Sequence, residues 1–346
     1  MSHRVGILGA TGAVGQRFIQ LLDDHPQFDI ACLTASESSA GEPYSEAAKW
    51  RLDSAIPESV RDVTVRATDP AAIPDDVDLL FSSLPSGVAA EIEPDLCEAG
   101  YVVSSNSSNA RMAEDVPLTI PEINPGHLDL IEVQRDERGW DGALVKNPNC
   151  STITMVPTLA ALDGFGLERV QVSTLQAVSG AGYDGVTSME IIDNAIPHIG
   201  GEEEKMETES RKLLGEFDGA ELSLHDAEVA ASCNRIPTID GHLENVFAEL
   251  AADPSADEVR EAMASFPSAD LPSSPEPLIH VFGDDRPERP QPRMDRMRGD
   301  GMQVVAGGVQ PTATGVKYNC LAHNTIRGAA GASVLNGELL ASEGWI

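Results

Sequence analysis

Arg4-Val5-Gly6-Ile7-Leu8-Gly9-Ala10-Thr11-Gly12-Ala13-Val14-Gly15 decides the fold of this chain. Its first five residues read as a short buried strand, and glycines at 9, 12 and 15 follow at once. Phe18, Ile19, Leu21 and Leu22 then recur at helical spacing, giving strand, glycine turn, helix. In that context a G-x-x-G-x-x-G loop cradles a pyrophosphate. Gly9 makes the tight turn, Gly12 lets the backbone approach the phosphates, and Gly15 lets helix pack on strand. The helix N-terminus faces the anion, so Thr11, Ala13 and Val14 join the expected cofactor-binding set.

The next strand, Phe28 to Leu33, ends beside the place of an adenosine ribose. Its tip, Thr34-Ala35-Ser36-Glu37-Ser38-Ser39, offers the hydroxyls of Thr34, Ser36, Ser38 and Ser39 to a 2′-phosphate. Glu37 argues for a ribose hydroxyl instead, and the loop carries no cation; the balance favours NADP over NAD. Further strands are expected at Val63–Ala67, Val77–Leu84, Tyr101–Ser104 and Leu118–Glu122. A helix is expected from Ser86 to Ala99, closed by Gly100. Ser83 and Leu84 end a strand on the ligand edge and border the cofactor. This alternation predicts an α/β fold whose N-terminal part is a Rossmann-like doubly wound parallel sheet. Beyond residue 150 the strands lengthen, as in Val170–Val178 and Val246–Leu250, and predict a C-terminal α+β catalytic domain of mixed sheet. Expected domains are 1–149 and 150–324.

Asn147-Pro148-Asn149-Cys150-Ser151-Thr152 sets a thiol at the mouth of a helix running from Ser151 to Leu162 and closed by Gly164. A thiolate is stabilised there, which makes Cys150 a candidate nucleophile. Pro157 falls inside that helix, so the expectation is a bend or a different boundary. Arg235-Ile236-Pro237-Thr238-Ile239-Asp240-Gly241-His242 adds an imidazole able to exchange a proton with a thiol. It also adds a guanidinium suited to a carboxylate.

Seven motifs in order resemble those of the aspartate-semialdehyde dehydrogenase family, in its archaeal and fungal branch. They are GATGAVG (Gly9–Gly15), SSNSSNARM (Ser104–Met112), NPNCST (Asn147–Thr152), QAVSGAG (Gln176–Gly182), IGGEEEKM (Ile199–Met206), RIPTIDGH (Arg235–His242) and HNTIRGAAGASVLN (His323–Asn336). The resemblance implies Cys150 as the nucleophile that forms a thiohemiacetal and then a thioester. It implies His242 as the acid/base, Gln176 as the residue orienting the reacting group, and Arg235 on the substrate carboxylate. Glu202 matches the carboxylate that holds the substrate amine, with Glu203 and Glu204 leaving that register open. Lys205 and Arg111 match cations that receive phosphate, while Ser179, Gly180 and Asn324 lie along the nicotinamide half of the cofactor. By itself Lys205 reads as a helix-surface lysine between Glu202 and Glu209. The implied reaction reduces 4-phosphoaspartate with NADPH to aspartate semialdehyde and phosphate. The C-terminal helix, 325–346, is implied to complete the first domain, and the second domain's sheet to form a homodimer or a dimer of dimers. N-acetylglutamyl-phosphate reductase, malonyl-CoA reductase and a cofactor-sensing regulator are the alternatives.

Composition bounds the rest. With 346 residues and 41% hydrophobic content the chain can fill two cores. No apolar run approaches a membrane span and no signal-like pattern opens the sequence, so the expected compartment is the cytoplasm. Five cysteines show no metal-ligand spacing, and no metal is expected. Fifty-six acidic residues against 23 basic ones give −33, and lysine occurs only at 49, 146, 205, 212 and 317. Such self-repulsion is screened at about 1 M salt, where the Debye length is roughly 3 Å, so a halophilic source is expected. Nucleic acid and membrane surfaces are excluded as partners, leaving a small-molecule substrate and phosphate.

Overall fold

The structure, a computed structural model, describes residues 2–346; Met1, counted in the expected first domain, lies outside the described residues. The chain divides into two compact units. The first takes the residues up to Thr119, Pro125–Asn147 and Ala329–Ile346, and the second takes Ile120–Asn124 and Pro148–Gly328.

In the first unit the strands are β1 (His3–Leu8), β2 (Phe28–Ala35), β3 (Arg66–Ala67), β4 (Leu79–Ser82), β5 (Val102–Ser105) and β6 (Ala143–Lys146). They form one parallel sheet in the order β3-β2-β1-β4-β5-β6. The order reverses between β1 and β4, the switch point beside which such sheets bind ligands. Alternate residues of β4 face opposite sides. Phe81 stacks on Phe18 of α1 (Ala13–Leu22), with ring centroids 5.1 Å apart. Leu80 shares a core with Ala89 and Leu96 of α2 (Ser86–Glu98). Both faces are therefore covered, which is why β4, β5 and β6 are buried at every position rather than at alternate ones. α3 (Leu130–Arg138) contacts β6, and the C-terminal helix Gly331–Glu343 lies against β4 and β5. At Gly337 the close approach requires glycine: a Cβ there would meet the Leu79 and Phe81 side chains at 2.8 Å.

Val77–Leu84 shortens to the four residues of β4, and two other strand expectations change more. Val63–Ala67 contracts to the two residues of β3. Leu118–Glu122 forms no strand; only Pro117–Thr119 exchanges hydrogen bonds, with Lys146. Pro117 and Pro121 lack the amide hydrogens a ladder needs, so pairing cannot propagate.

The second unit's strands are β7 (Leu167–Gln176), β8 (Ile196–Pro197), β9 (Glu216–Phe217), β10 (Leu222–Ser223), β11 (Glu228–Arg235), β12 (His242–Leu250), β13 (Ile279–Val281), β14 (Val304–Pro311) and β15 (Gly315–Ala322). β9 and β10 pair by themselves; the others form a seven-stranded mixed sheet, β13-β14-β15-β12-β7-β11-β8. α4 (Cys150–Leu162), α5 (Glu202–Leu213) and α6 (Ala256–Ala264) supply Met155, Leu159, Met206 and Met263 to the core beneath it. β12 shows the resulting alternation: His242, Glu244, Val246, Ala248 and Leu250 are buried, whereas Phe247 is exposed.

α4 passes through Pro157 without ending there. Its close also differs from expectation. A 3₁₀ turn, Asp163–Phe165, tightens the last turn and moves the left-handed residue from Gly164 to Gly166, at φ +75°. The last helix is preceded by a π-helical turn, Ile326–Ala330, within the segment expected to be regular α-helix. No helix among the described residues is long and apolar enough to cross a membrane.

Candidate active site

The first unit contributes the glycine loop. Gly9 has φ +77°, and the amides of Gly9 and Ala10 both donate to the Thr34 carbonyl, at 3.1 and 2.9 Å. Gly12 is exposed at the N-cap of α1, and no side chain caps the helix. Thr11, Ala13 and Val14 beside it are half-buried. A Cβ at Gly15 would lie 2.2 Å from the Gly9 carbonyl oxygen, so loop and helix can pass only at a glycine.

The hydroxyls behind this loop do not all face the same way. Ser36 and Ser38 are exposed and bonded to each other at 3.0 Å, with half-buried Ser39 next to them. Thr34 is buried, its hydroxyl bonded to Thr68 at 2.9 Å, and it meets the loop through its carbonyl. Ser83 Oγ donates to the Leu8 carbonyl at 2.9 Å, and Leu84 is buried beside it.

Arg111 is also in this unit, nearly buried, with its guanidinium donating to the Asn106 carbonyl at 2.6 Å. The Ser104–Met112 loop that carries it rests on an ion pair with no solvent exposure. Lys146 Nζ lies 2.5 Å from Glu93 Oε2, and Ser82, Ser105 and Ser107 hydrogen-bond the same carboxylate. Burial pulls the Lys146 ammonium below its ordinary value, against the attraction of Glu93. Sequence reading missed this pair, because 53 residues separate its members and neither lies in a recognisable pattern.

The second unit brings most of the remaining candidates together. Cys150 is the first residue of α4, and Asn149 caps the helix by accepting from the amides of Ser151 at 2.9 Å and Thr152 at 3.3 Å. Cys150 Sγ is 3.2 Å from His242 Nε2, across 92 residues of chain. On the far side of the ring, Nδ1 accepts from the Ala177 amide at 3.1 Å. His242 is fully buried; that burial, then Arg235 and then His323, push its imidazole down to about 3. Arg235 Nη1 donates to the Ala177 carbonyl at 2.7 Å. Gln176 is buried, and its amide nitrogen has no hydrogen-bond partner, an arrangement that marks a donor held for something else. Gly180 is where a side chain would obstruct: a Cβ would come within 2.9 Å of Arg235 Nη1 and 3.3 Å of the His242 ring. Asn324 links this turn to the next, donating to Ser179 Oγ and accepting from the Gly241 amide, both at 2.8 Å.

Of Glu202, Glu203 and Glu204 in the first turn of α5, Glu202 reaches the surroundings of Cys150. Its carboxylate accepts from Asn149 Nδ2 and from Lys205 Nζ, at 2.8 and 2.9 Å. Glu203 is taken by the Cys233 amide and Glu204 is exposed. Glu209 turns from Lys205 to the Asn149 amide, at 2.6 Å.

Two further contacts lay outside what the sequence showed. A Cβ on Gly328, in the π turn, would be 2.8 Å from Cys150 Cβ, and next to it Arg327 forms a fully buried two-pronged pair with Glu122 at 2.7 and 3.1 Å. Glu244, two residues beyond His242, is a buried acid that desolvation raises well above the carboxylate range. No group of three or more His, Cys, Asp or Glu among the described residues could hold a metal ion.

Known proteins resemble this chain over its whole length. Residues 4–131 match the family described as semialdehyde dehydrogenase, NAD binding domain, and residues 159–327 match semialdehyde dehydrogenase, dimerisation domain. The aspartate-semialdehyde dehydrogenase of Methanothermobacter thermautotrophicus is 54% identical over 97% of this chain and 98% of its own. That of Archaeoglobus fulgidus is 50% identical over 99% of both. A solved structure of aspartate semialdehyde dehydrogenase with NADP from Candida albicans superposes with a TM-score of 0.91 at 39% identity, covering all of both chains. A thiol and an imidazole paired at the start of a helix, a bare glycine loop, and identity sustained from end to end lead to one conclusion: the chain belongs to the aspartate-semialdehyde dehydrogenase family.

Proposed function

We infer that this chain is an NADP-dependent aspartate-semialdehyde dehydrogenase. It reduces 4-phospho-L-aspartate to L-aspartate 4-semialdehyde and phosphate in amino-acid biosynthesis, through a thioester on Cys150. The observation that carries the reading is the 3.2 Å approach of the Cys150 thiol to His242 at the first position of α4, in a chain of this family. The thiolate attacks the acyl phosphate, a C–S bond replaces the C–O bond, and phosphate leaves. His242 and the unpartnered amide of Gln176 serve the sulfur and the reacting oxygen. Arg235 holds the substrate carboxylate and Glu202 its amine; Glu203 is engaged elsewhere and Glu204 faces solvent. Lys205 and Arg111 receive the phosphate.

The glycine loop fits a dinucleotide. No side chain caps the helix that starts after Gly12, and the Gly9–Gly15 passage leaves no room for a side chain. Gly9, Thr11, Gly12, Ala13 and Val14 would hold the pyrophosphate, and Ser36, Ser38 and Ser39 the 2′-phosphate. Ser83, Leu84, Ser179, Gly180 and Asn324 would line the remainder. When bound, NADPH supplies the hydride that the acyl carbon takes up.

The match to a dimerisation domain indicates self-association. We place that contact on the open face of the seven-stranded sheet, where Phe247 is exposed, as a homodimer that can pair again. Five free cysteines fit a cytoplasmic protein, and the −33 charge fits one working in concentrated salt.

NADP reduction in molar KCl with aspartate semialdehyde, with and without phosphate, tests the reaction. Phosphate-dependent reduction is expected. Its absence in folded protein, with malonyl-CoA oxidising NADPH instead, would move the assignment to that sister activity.

A further inference from the structure

Three neighbouring strands of the first unit end on one carboxylate. Ser82 closes β4, Ser105 closes β5 and Lys146 closes β6, and all three reach Glu93 of α2. Ser82 Oγ donates to Glu93 at 2.8 Å, and Ser105 Oγ and the Lys146 ammonium each donate at 2.5 Å. The ammonium also donates to Ser105 Oγ at 3.0 Å, Ser107 Oγ at 2.8 Å and Asn109 Oδ1 at 3.2 Å. The Ser104–Met112 loop is thus wound over a charge pair that solvent does not touch. Its crown is tied down twice more. The Asn106 amide donates to the Ser82 carbonyl at 3.0 Å, and Asn147 Nδ2 donates to Asn106 Oδ1 at 3.1 Å. The Asn106 carbonyl in turn accepts from the Arg111 guanidinium at 2.6 Å. Ala110, next to that arginine, is held at φ +59°. A residue with a side chain keeps this left-handed conformation only where its surroundings over-determine it.

A buried ion pair is a poor source of stability, because well-packed apolar side chains in its place often do as well or better. These two charges need another reason, and Arg111 supplies it. A lone carboxylate could hold the serines, but it would also attract the guanidinium and compete with an anion approaching it. Lys146 takes up that charge. Arg111 lies near enough to disfavour the Lys146 ammonium, so the cation that needs shielding from Glu93 is close by. Resting on the phosphate role proposed above for Arg111, we infer that Lys146 and Glu93 are positioning residues for phosphate. The pair fixes the loop, and the Asn106 carbonyl at the loop's crown aims the guanidinium. The neutrality of the pair leaves the arginine's charge undiminished for the incoming anion. Neither residue need touch phosphate itself. Its affinity then rests on a fork set in place before it arrives.

Phosphate saturation curves of the full-length enzyme test this, with NADP reduction by aspartate semialdehyde followed in molar KCl. Charge and position predict opposite signs for Glu93→Gln. If charge alone mattered, removing a buried anion near Arg111 should lower the phosphate KM. A loosened loop should raise it roughly tenfold, and that rise is the expected result. The kcat at saturating phosphate and the KM for NADP should stay within about threefold of wild type. A single change leaves one buried charge without its partner, so the double variant Glu93→Gln/Lys146→Met is measured beside it. It preserves net charge, and the same rise is expected there. A phosphate KM that falls or stays unmoved in folded variants overturns the inference. So does a rise matched by equal losses in kcat and NADP affinity, the mark of a merely structural pair. Phosphate-dependent turnover in the wild type with either of those results would remove this role and leave the reaction standing. Folded wild-type protein without phosphate-dependent reduction would remove the reaction and the role with it.

Discussion

On the proposed function α1 and α4 both begin where negative charge is to be held, and they are finished differently. α1 opens at exposed Gly12 with no capping side chain, which leaves its first amides for something from outside. α4 opens at Asn149, whose side chain occupies the amides of Ser151 and Thr152, and Glu209 and Glu202 hold Asn149 in turn. Both ends have the same partial positive charge. A diffusible anion needs that end bare and flanked by glycine. A thiolate already on the chain needs only to be aimed, so the rest of the turn can be closed. Binding and orientation thus come from one piece of backbone physics, separated by what caps it.

Substitutions at the two ends should have separable consequences. Cys150→Ala should reduce turnover by at least about 10³-fold while NADP affinity, read by fluorescence titration, stays within about twofold. Substantial residual turnover would show that α4 does not present the nucleophile. Gly15→Ala puts a Cβ 2.2 Å from the Gly9 carbonyl oxygen. Relief of such overpacking costs about 1–3 kcal/mol, so NADP should bind roughly 10- to 100-fold more weakly. Alkylation of Cys150 should keep its wild-type rate; unchanged NADP affinity would mean that α1 is not the cradle. Asn149→Ala should have the smallest effect, a loss of about 1 kcal/mol in urea unfolding from the missing cap. No loss at all would erase the distinction between a closed and an open helix start.

The parts of this molecule that were legible in sequence are those built from local chemistry. The glycine loop announces itself because positive φ at Gly9 and the close pass at Gly15 exclude other residues. Cys150 was legible because an Asn before an apolar run is a helix start. Gly164 misled for a related reason: a 3₁₀ turn defers the left-handed position by two residues, and nothing in the local string signals it. Pro157 was read as a threat to α4, yet the helix runs on to Leu162, with the Thr158 hydroxyl also bonded to the Met155 carbonyl at 2.6 Å. What stayed hidden depends on backbone atoms or distant partners. The Ala177 amide that orients His242 has no side-chain signature. Lys146 and Glu93 meet only after β6 has joined the sheet.

The C-terminal helix sets a timetable for synthesis. Gly337 lies against Leu79 and Phe81, so the sheet of the first unit has that part of its covering only when the last residues have been made. At about 5–20 residues per second, the roughly 180 residues between Lys146 and Gly331 keep the ribosome occupied for about 10–40 s. For that interval the nascent chain shows an apolar stripe to the cell, and it is then that Phe81 is most open to the wrong partner.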